Sequence, residues 1–101
     1  MSTARETVDY IVEQCEGARP VAARAMFGEY ALYLGAKVVA LVCDDLLFVK
    51  LTAGALALVP NPTMAPPYPG AKPHICLEGA LDDPDLLIDV LRAVAADLPD
   101  P

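Results

Sequence analysis

Three runs rich in Val, Leu, Tyr and Phe, at residues 30–34, 37–43 and 46–51, are separated by only two residues each time, Gly35-Ala36 and Asp44-Asp45. So short a connection allows only a tight hairpin, and glycine or aspartate supplies the backbone conformation such a turn demands. The runs are therefore predicted to be antiparallel neighbours in a meander. Val21–Phe27, set off by Gly28, is read as an earlier strand. A chain with this centre is neither a helical bundle nor a parallel α/β fold, and the rest of its length must cover the sheet.

The flanks supply the cover. Thr3 and Glu6 make a T-x-x-E capping box, after which Ala4, Val8, Ile11, Val12 and Cys15 form one apolar stripe at helical spacing. Gly17 and Pro20 mark the end of that helix. At the other end Asp83 is an N-cap and Pro84 a first helical residue, followed by the stripe Leu87, Val90, Leu91, Val94 and Leu98. Thr52 caps a short helix across Ala53–Val59, which Gly54 weakens. Residues 60–73 carry six prolines, so they are read as an ordered crossover loop that lays Met64 and Tyr68 on the sheet. Lys72–Leu77 is the last strand.

With 101 residues and an apolar share of 55%, the chain fills one core. Residues 1–101 are predicted to be a single α+β domain. Its architecture is a two-layer sandwich of an antiparallel β-meander with the N- and C-terminal helices packed on one face.

Fourteen acids against seven bases give a net charge of −7. Phosphate backbones are recognised by clustered positive charge, so direct nucleic-acid and anionic-membrane binding are not expected. Residues 78–101 concentrate the excess, with Glu78, Asp82, Asp83, Asp85, Asp89, Asp97 and Asp100 against Arg92 alone. No apolar run approaches the ~20 residues of a membrane-spanning helix. The start, Met1 to Glu6, lacks the basic and apolar stretches of a secretion signal, and a cytoplasmic location is expected.

Reactive residues are few. Cys15, Cys43 and Cys76 include no C-x-x-C pair, and their odd number argues against a disulfide framework. His74 and Cys76 alternate on one strand and share a face, but two ligands fall short of a zinc site, and only a third such as Cys43 would extend the set. Asp44-Asp45 and Asp82-Asp83 read as turn formers. No phosphate loop, dinucleotide fingerprint or nucleophile elbow is present. Neither catalysis nor a cofactor nor a metal is expected.

The segment Arg24-Ala25-Met26-Phe27-Gly28-Glu29-Tyr30-Ala31-Leu32-Tyr33-Leu34-Gly35 resembles the R-x-M-F-G-G-x-x-x-Y-x-x-G core of the TfoX (Sxy) N-terminal domain family. Val39 to Val42, Asp44-Asp45 and Leu47-Phe48-Val49-Lys50 are similar to that family's F-A-L-I-x-D-D-x-L-Y-L-K run, and Pro66-Pro67-Tyr68 to its P-F-x-Y region. Glu29 stands in place of the second glycine, Val39 of an aromatic and Phe48 of a tyrosine. The resemblance covers about residues 4–98 and implies a small α/β sandwich. It makes Arg24, Met26, Phe27, Gly28, Tyr33, Gly35, Asp44, Asp45 and Lys50 signature residues. It also implies an association with the regulation of natural competence alongside a transcription factor. The expected function is a non-enzymatic interaction module, a transcription-related co-regulator acting through a protein partner. The alternative is a small-molecule-binding or sensor domain with a pocket between the sheet and the proline-rich loop.

Strict side-chain alternation through two-residue turns sorts the meander into two faces. Ala31, Tyr33, Val38, Ala40, Val42, Leu47, Val49 and Leu51, with Glu29 at the margin, are expected beneath the helices. Tyr30, Leu32, Leu34, Lys37, Val39, Leu41, Cys43, Leu46, Phe48 and Lys50 are expected on the other face. That second set is too apolar for water and leaves two readings: cover by the proline loop, or a surface for self-association or a partner. Tyr30, Leu32, Phe48, Lys50 and Tyr68 are its candidate interaction residues, with Tyr30 and Phe48 as aromatic anchors.

Overall fold

The computed structural model describes residues 4–15, 21–26, 28–77 and 83–99. Strands β1 (Val21–Met26), β2 (Glu29–Leu34), β3 (Lys37–Cys43) and β4 (Leu46–Val49) form the antiparallel meander. Leu34 opposite Lys37 and Cys43 opposite Leu46 close the two-residue turns. Gly35 takes φ +64°, while Asp44 and Asp45 take +53° and +62°. Two successive left-handed residues give the kind of turn whose twist matches that of the flanking strands, and aspartate tolerates the conformation better than most residues.

Strand β5 (Thr63–Ala65) and strand β6 (His74–Leu77) extend the sheet to the order β1-β2-β3-β4-β6-β5. The proline-rich stretch therefore does more than cross over. Between Pro62 and Pro66 it contributes an outermost strand, where a proline's missing N–H interrupts no central ladder.

Among the described residues three helices accompany the sheet: α1 (Arg5–Gln14), α2 (Ala53–Leu58) and α3 (Pro84–Asp97). Asp83 caps α3 by accepting the Leu86 N–H at 3.2 Å, and Leu87, Val90, Leu91 and Val94 are buried. Thr52 caps α2 through the Ala55 N–H, also at 3.2 Å. At α1 the N-cap position is Ala4, whose side chain cannot cap, and Thr3 lies outside the described residues, as do Gly17 and Pro20. Asp45 caps this helix from the β3–β4 turn instead. Its Oδ1 accepts the Ala4 N–H at 2.8 Å and the Thr7 hydroxyl at 2.9 Å. Asp45→Ala is expected to cost about 1–2 kcal/mol, the usual effect of losing a cap, with Asp45→Asn recovering part of it in urea denaturation.

Gly54 weakens α2 in isolation, but the fold uses it as the point where α2 meets α3. Its N–H donates to Asp97 Oδ2 at 2.7 Å, and a Cβ there would stand 3.2 Å from the Ala93 Cβ. Gly54→Val is expected to destabilise by about 1–3 kcal/mol through overpacking. A melting temperature equal to wild type would show that the two helices separate freely.

Face assignment differs from strict alternation, for one reason. Tyr33 pairs with Val38, but Leu32 pairs with Ala40, so Val39 is an extra residue in β3. A one-residue bulge moves every side chain beyond it on the partner strand to the opposite face. Leu32, Val39, Ala40, Val42, Leu47, Val49, Ile75 and Leu77 consequently join the stripes of α1 and α3 in the main core, and Tyr30 and Leu34 pack against it. Ala31, Leu41, Cys43, Phe48 and Cys76 form a second cluster on the outer face, joined by Tyr33 and Val38. Ala31, Tyr33 and Val38 are therefore outside rather than beneath the helices, and Leu51 is 41% exposed rather than part of the core. Lys37 lies on the helix side as well, donating to the Ala95 and Leu98 carbonyls at 2.8 and 3.0 Å. Among the described residues no helix is long and apolar enough to cross a membrane.

Candidate functional site

The five candidate interaction residues do not form one surface. Leu32 is fully buried in the main core, and Tyr30 lies on the helix side, with the Arg5 guanidinium 5.9 Å from its ring centre. Phe48 stays on the outer face but is only 5% exposed within a single chain, which leaves it little area to offer another molecule. Lys50 is half-buried, and Tyr68 is 52% exposed. Met64, expected to lie on the sheet, is 51% exposed, while Ala65 packs on the outer cluster and Pro67 is buried.

Around the β3–β4 turn, Glu29, Asp44 and Asp45 brace the scaffold. Glu29 Oε2 accepts the Asp44 N–H at 2.6 Å, so the residue replacing the second glycine braces the turn that also caps α1. The Arg24 guanidinium stacks 5.2 Å from the Tyr33 ring on the outer face. Gly28 takes φ +83°, a conformation open to few other residues. Phe27 lies outside the described residues. Met26, Glu29, Cys43 and Tyr68 bound a cavity of about 340 Å³ beneath the proline-rich loop.

Cys15 and Cys43 are poor nucleophiles. Burial lifts the Cys15 thiol from the usual 9.0 to about 11. Cys43 is also lifted to about 11, by burial and then by the Glu29 carboxylate, which repels a thiolate and accepts the thiol hydrogen. Below pH 9 folded and unfolded chains both hold these protons. Above it the unfolded chain ionises first, so stability is expected to fall as pH rises from about 9 towards 11. Urea midpoints across that range check this, with a Cys15→Ala/Cys43→Ala variant expected to fall less steeply. Among the described residues no three His, Cys, Asp or Glu side chains gather as metal ligands.

The opposite end of the sheet holds a second cavity, of about 450 Å³, with Lys50, Thr52, Lys72 and His74 around it and Leu51, Pro73 and Leu98 as apolar walls. Sequence reading missed this group because its members lie far apart along the chain. Only the insertion of β6 beside β4 brings them together.

The family model described as the TfoX N-terminal domain matches residues 13–97. An uncharacterized 12.7 kDa protein in the trpE 5' region of Spirochaeta aurantia is 36% identical over 101 residues, covering all of this chain and 88% of that protein. No solved structure matches the chain significantly.

Proposed function

This chain belongs to the TfoX N-terminal domain family, and we propose that it acts as a non-enzymatic interaction module in the cytoplasm, a transcription-related co-regulator that works through a protein partner. The observation that carries this reading is the outer edge of the sheet. Strand β5 is outermost and pairs on one side only with a described strand, while Met64 on it and Tyr68 just beyond it are each about half exposed, at 51% and 52%. An open edge with exposed apolar side chains offers both backbone hydrogen bonds and aromatic anchoring to an extended segment of another protein. The test is a partner identified by crosslinking in cells and then rebound from purified components. A Met64→Asp/Tyr68→Asp variant is expected to lose about tenfold or more in affinity, as hot-spot residues do, with its melting temperature kept. Unchanged affinity overturns the reading.

The 340 Å³ cavity bounded by Met26, Glu29, Cys43 and Tyr68 favours a second reading, a small-molecule sensor. It lies between the sheet and the proline-rich loop, is largely apolar, and carries one carboxylate to orient a ligand. A bound metabolite recovered from purified protein, and lost in Cys43→Phe, supports this alternative.

A further inference from the structure

The chain carries a net charge of −7 and only three lysines and one histidine, yet all four lie at one end of the sheet. Lys50, Lys72 and His74 line the 450 Å³ cavity, and a smaller cavity beside it, of about 210 Å³, shares Lys50 and Leu98 and adds Lys37. Lys37 is engaged with the carbonyls at the end of α3. The ammonium groups of Lys50 and Lys72 meet no carboxylate within ion-pairing distance among the described residues, and no described acidic side chain lines the larger cavity. The His74 ring is fixed by its Nδ1 contact with the Lys72 carbonyl at 2.8 Å, which leaves Nε2 for a further bond. Thr52 Oγ1 accepts the Ala55 N–H, so its hydroxyl hydrogen remains to be donated.

We propose that this cavity is a binding site for a phosphate monoester with a small apolar or aromatic body. A phosphate monoester carries a charge near −2 and several strong acceptor oxygens. Two ammonium groups and the Thr52 hydroxyl answer that charge and those acceptors, His74 adds an Nε2–H donor in its imidazolium form, and lysine serves as a mobile point charge toward phosphate. Leu51, Pro73 and Leu98 offer apolar surface to the rest of the molecule. The volume is that of an ordinary small-molecule site. On a protein of net charge −7, this end of the sheet gathers all three lysines and is where an anion would be drawn. The site does not depend on the partner surface at β5.

Amide NMR titration of the full chain with phenyl phosphate tests the site, with phenol and inorganic phosphate titrated separately. Saturable shifts are expected at residues 50–52, 72 and 74, strongest with phenyl phosphate and weakening as salt is raised. Lys50→Gln/Lys72→Gln is expected to weaken binding by roughly tenfold or more, the effect of removing charged hydrogen-bond partners. Arg24→Gln, which removes a positive charge from β1, leaves binding unchanged. Lys72 is exposed, so Lys72→Gln alone keeps the fold and decides the matter if the double variant does not melt cooperatively. Absence of saturable shifts, equal binding of phenol, or equal affinity in the lysine variants overturns the proposal.

Discussion

Phe48→Glu is expected to leave no folded protein at all. Phe48 is 5% exposed, sits between Leu41 and Cys76 on the neighbouring strands, and packs with Ala31 and Cys43. Truncating a buried phenylalanine costs about 3–5 kcal/mol. Burying a carboxylate without a partner adds several more. A domain of this size has only about 5–15 kcal/mol in total. The variant should show no cooperative melting transition and no protected amides, whereas Phe48→Leu should melt cooperatively at a reduced temperature. A folded Phe48→Glu monomer with near-native stability would mean that the outer face opens easily and is available to a second molecule. That outcome would restore the aromatic-anchor reading of the sequence, which the burial of Phe48 otherwise removes.

What the sequence reveals of this fold follows the range of the interactions involved. Gly35-Ala36, Asp44-Asp45, Thr52 and Asp83-Pro84 act within a few residues of themselves, so each turn and cap they announce is present where expected. The Asp45 cap on α1 spans 41 residues to Ala4, and no local pattern could show it. Gly54 has the same lesson in reverse. Read locally it weakens a helix, but the approach of Ala93 and Asp97 makes its missing side chain a requirement. The lysine-lined cavity depends on a strand order that places β6 beside β4, and a proline-rich crossover leaves that order open. The signature residues Asp44 and Asp45 were legible as turn formers, and their geometry gives them that role together with bracing and capping. Of the described signature residues, Lys50 alone lines the cavity proposed for a phosphate monoester.

Leu32 and Tyr33 should part sharply under the same substitution. Without the bulge at Val39, Tyr33 would stay beneath the helices and Leu32 would face outward. With the bulge, Leu32 is fully buried in the main core, while Tyr33 sits half-buried on the outer face under the Arg24 guanidinium. Leu32→Asn therefore removes a core side chain and buries an amide whose neighbours offer no hydrogen bonds. The combined loss is about 3–5 kcal/mol. Tyr33→Asn surrenders part of an apolar contact and one cation–π pair, a loss of about 1–2 kcal/mol with the amide able to reach water. Urea denaturation of the two variants side by side reads the difference directly. No sequence signal announces this bulge, since Val39 is a β-branched residue of the kind that fills regular strands and no glycine stands beside it. Equal losses, or a larger loss at Tyr33, would mean that β2 and β3 pair without the extra residue and that the two faces of the sheet are exchanged.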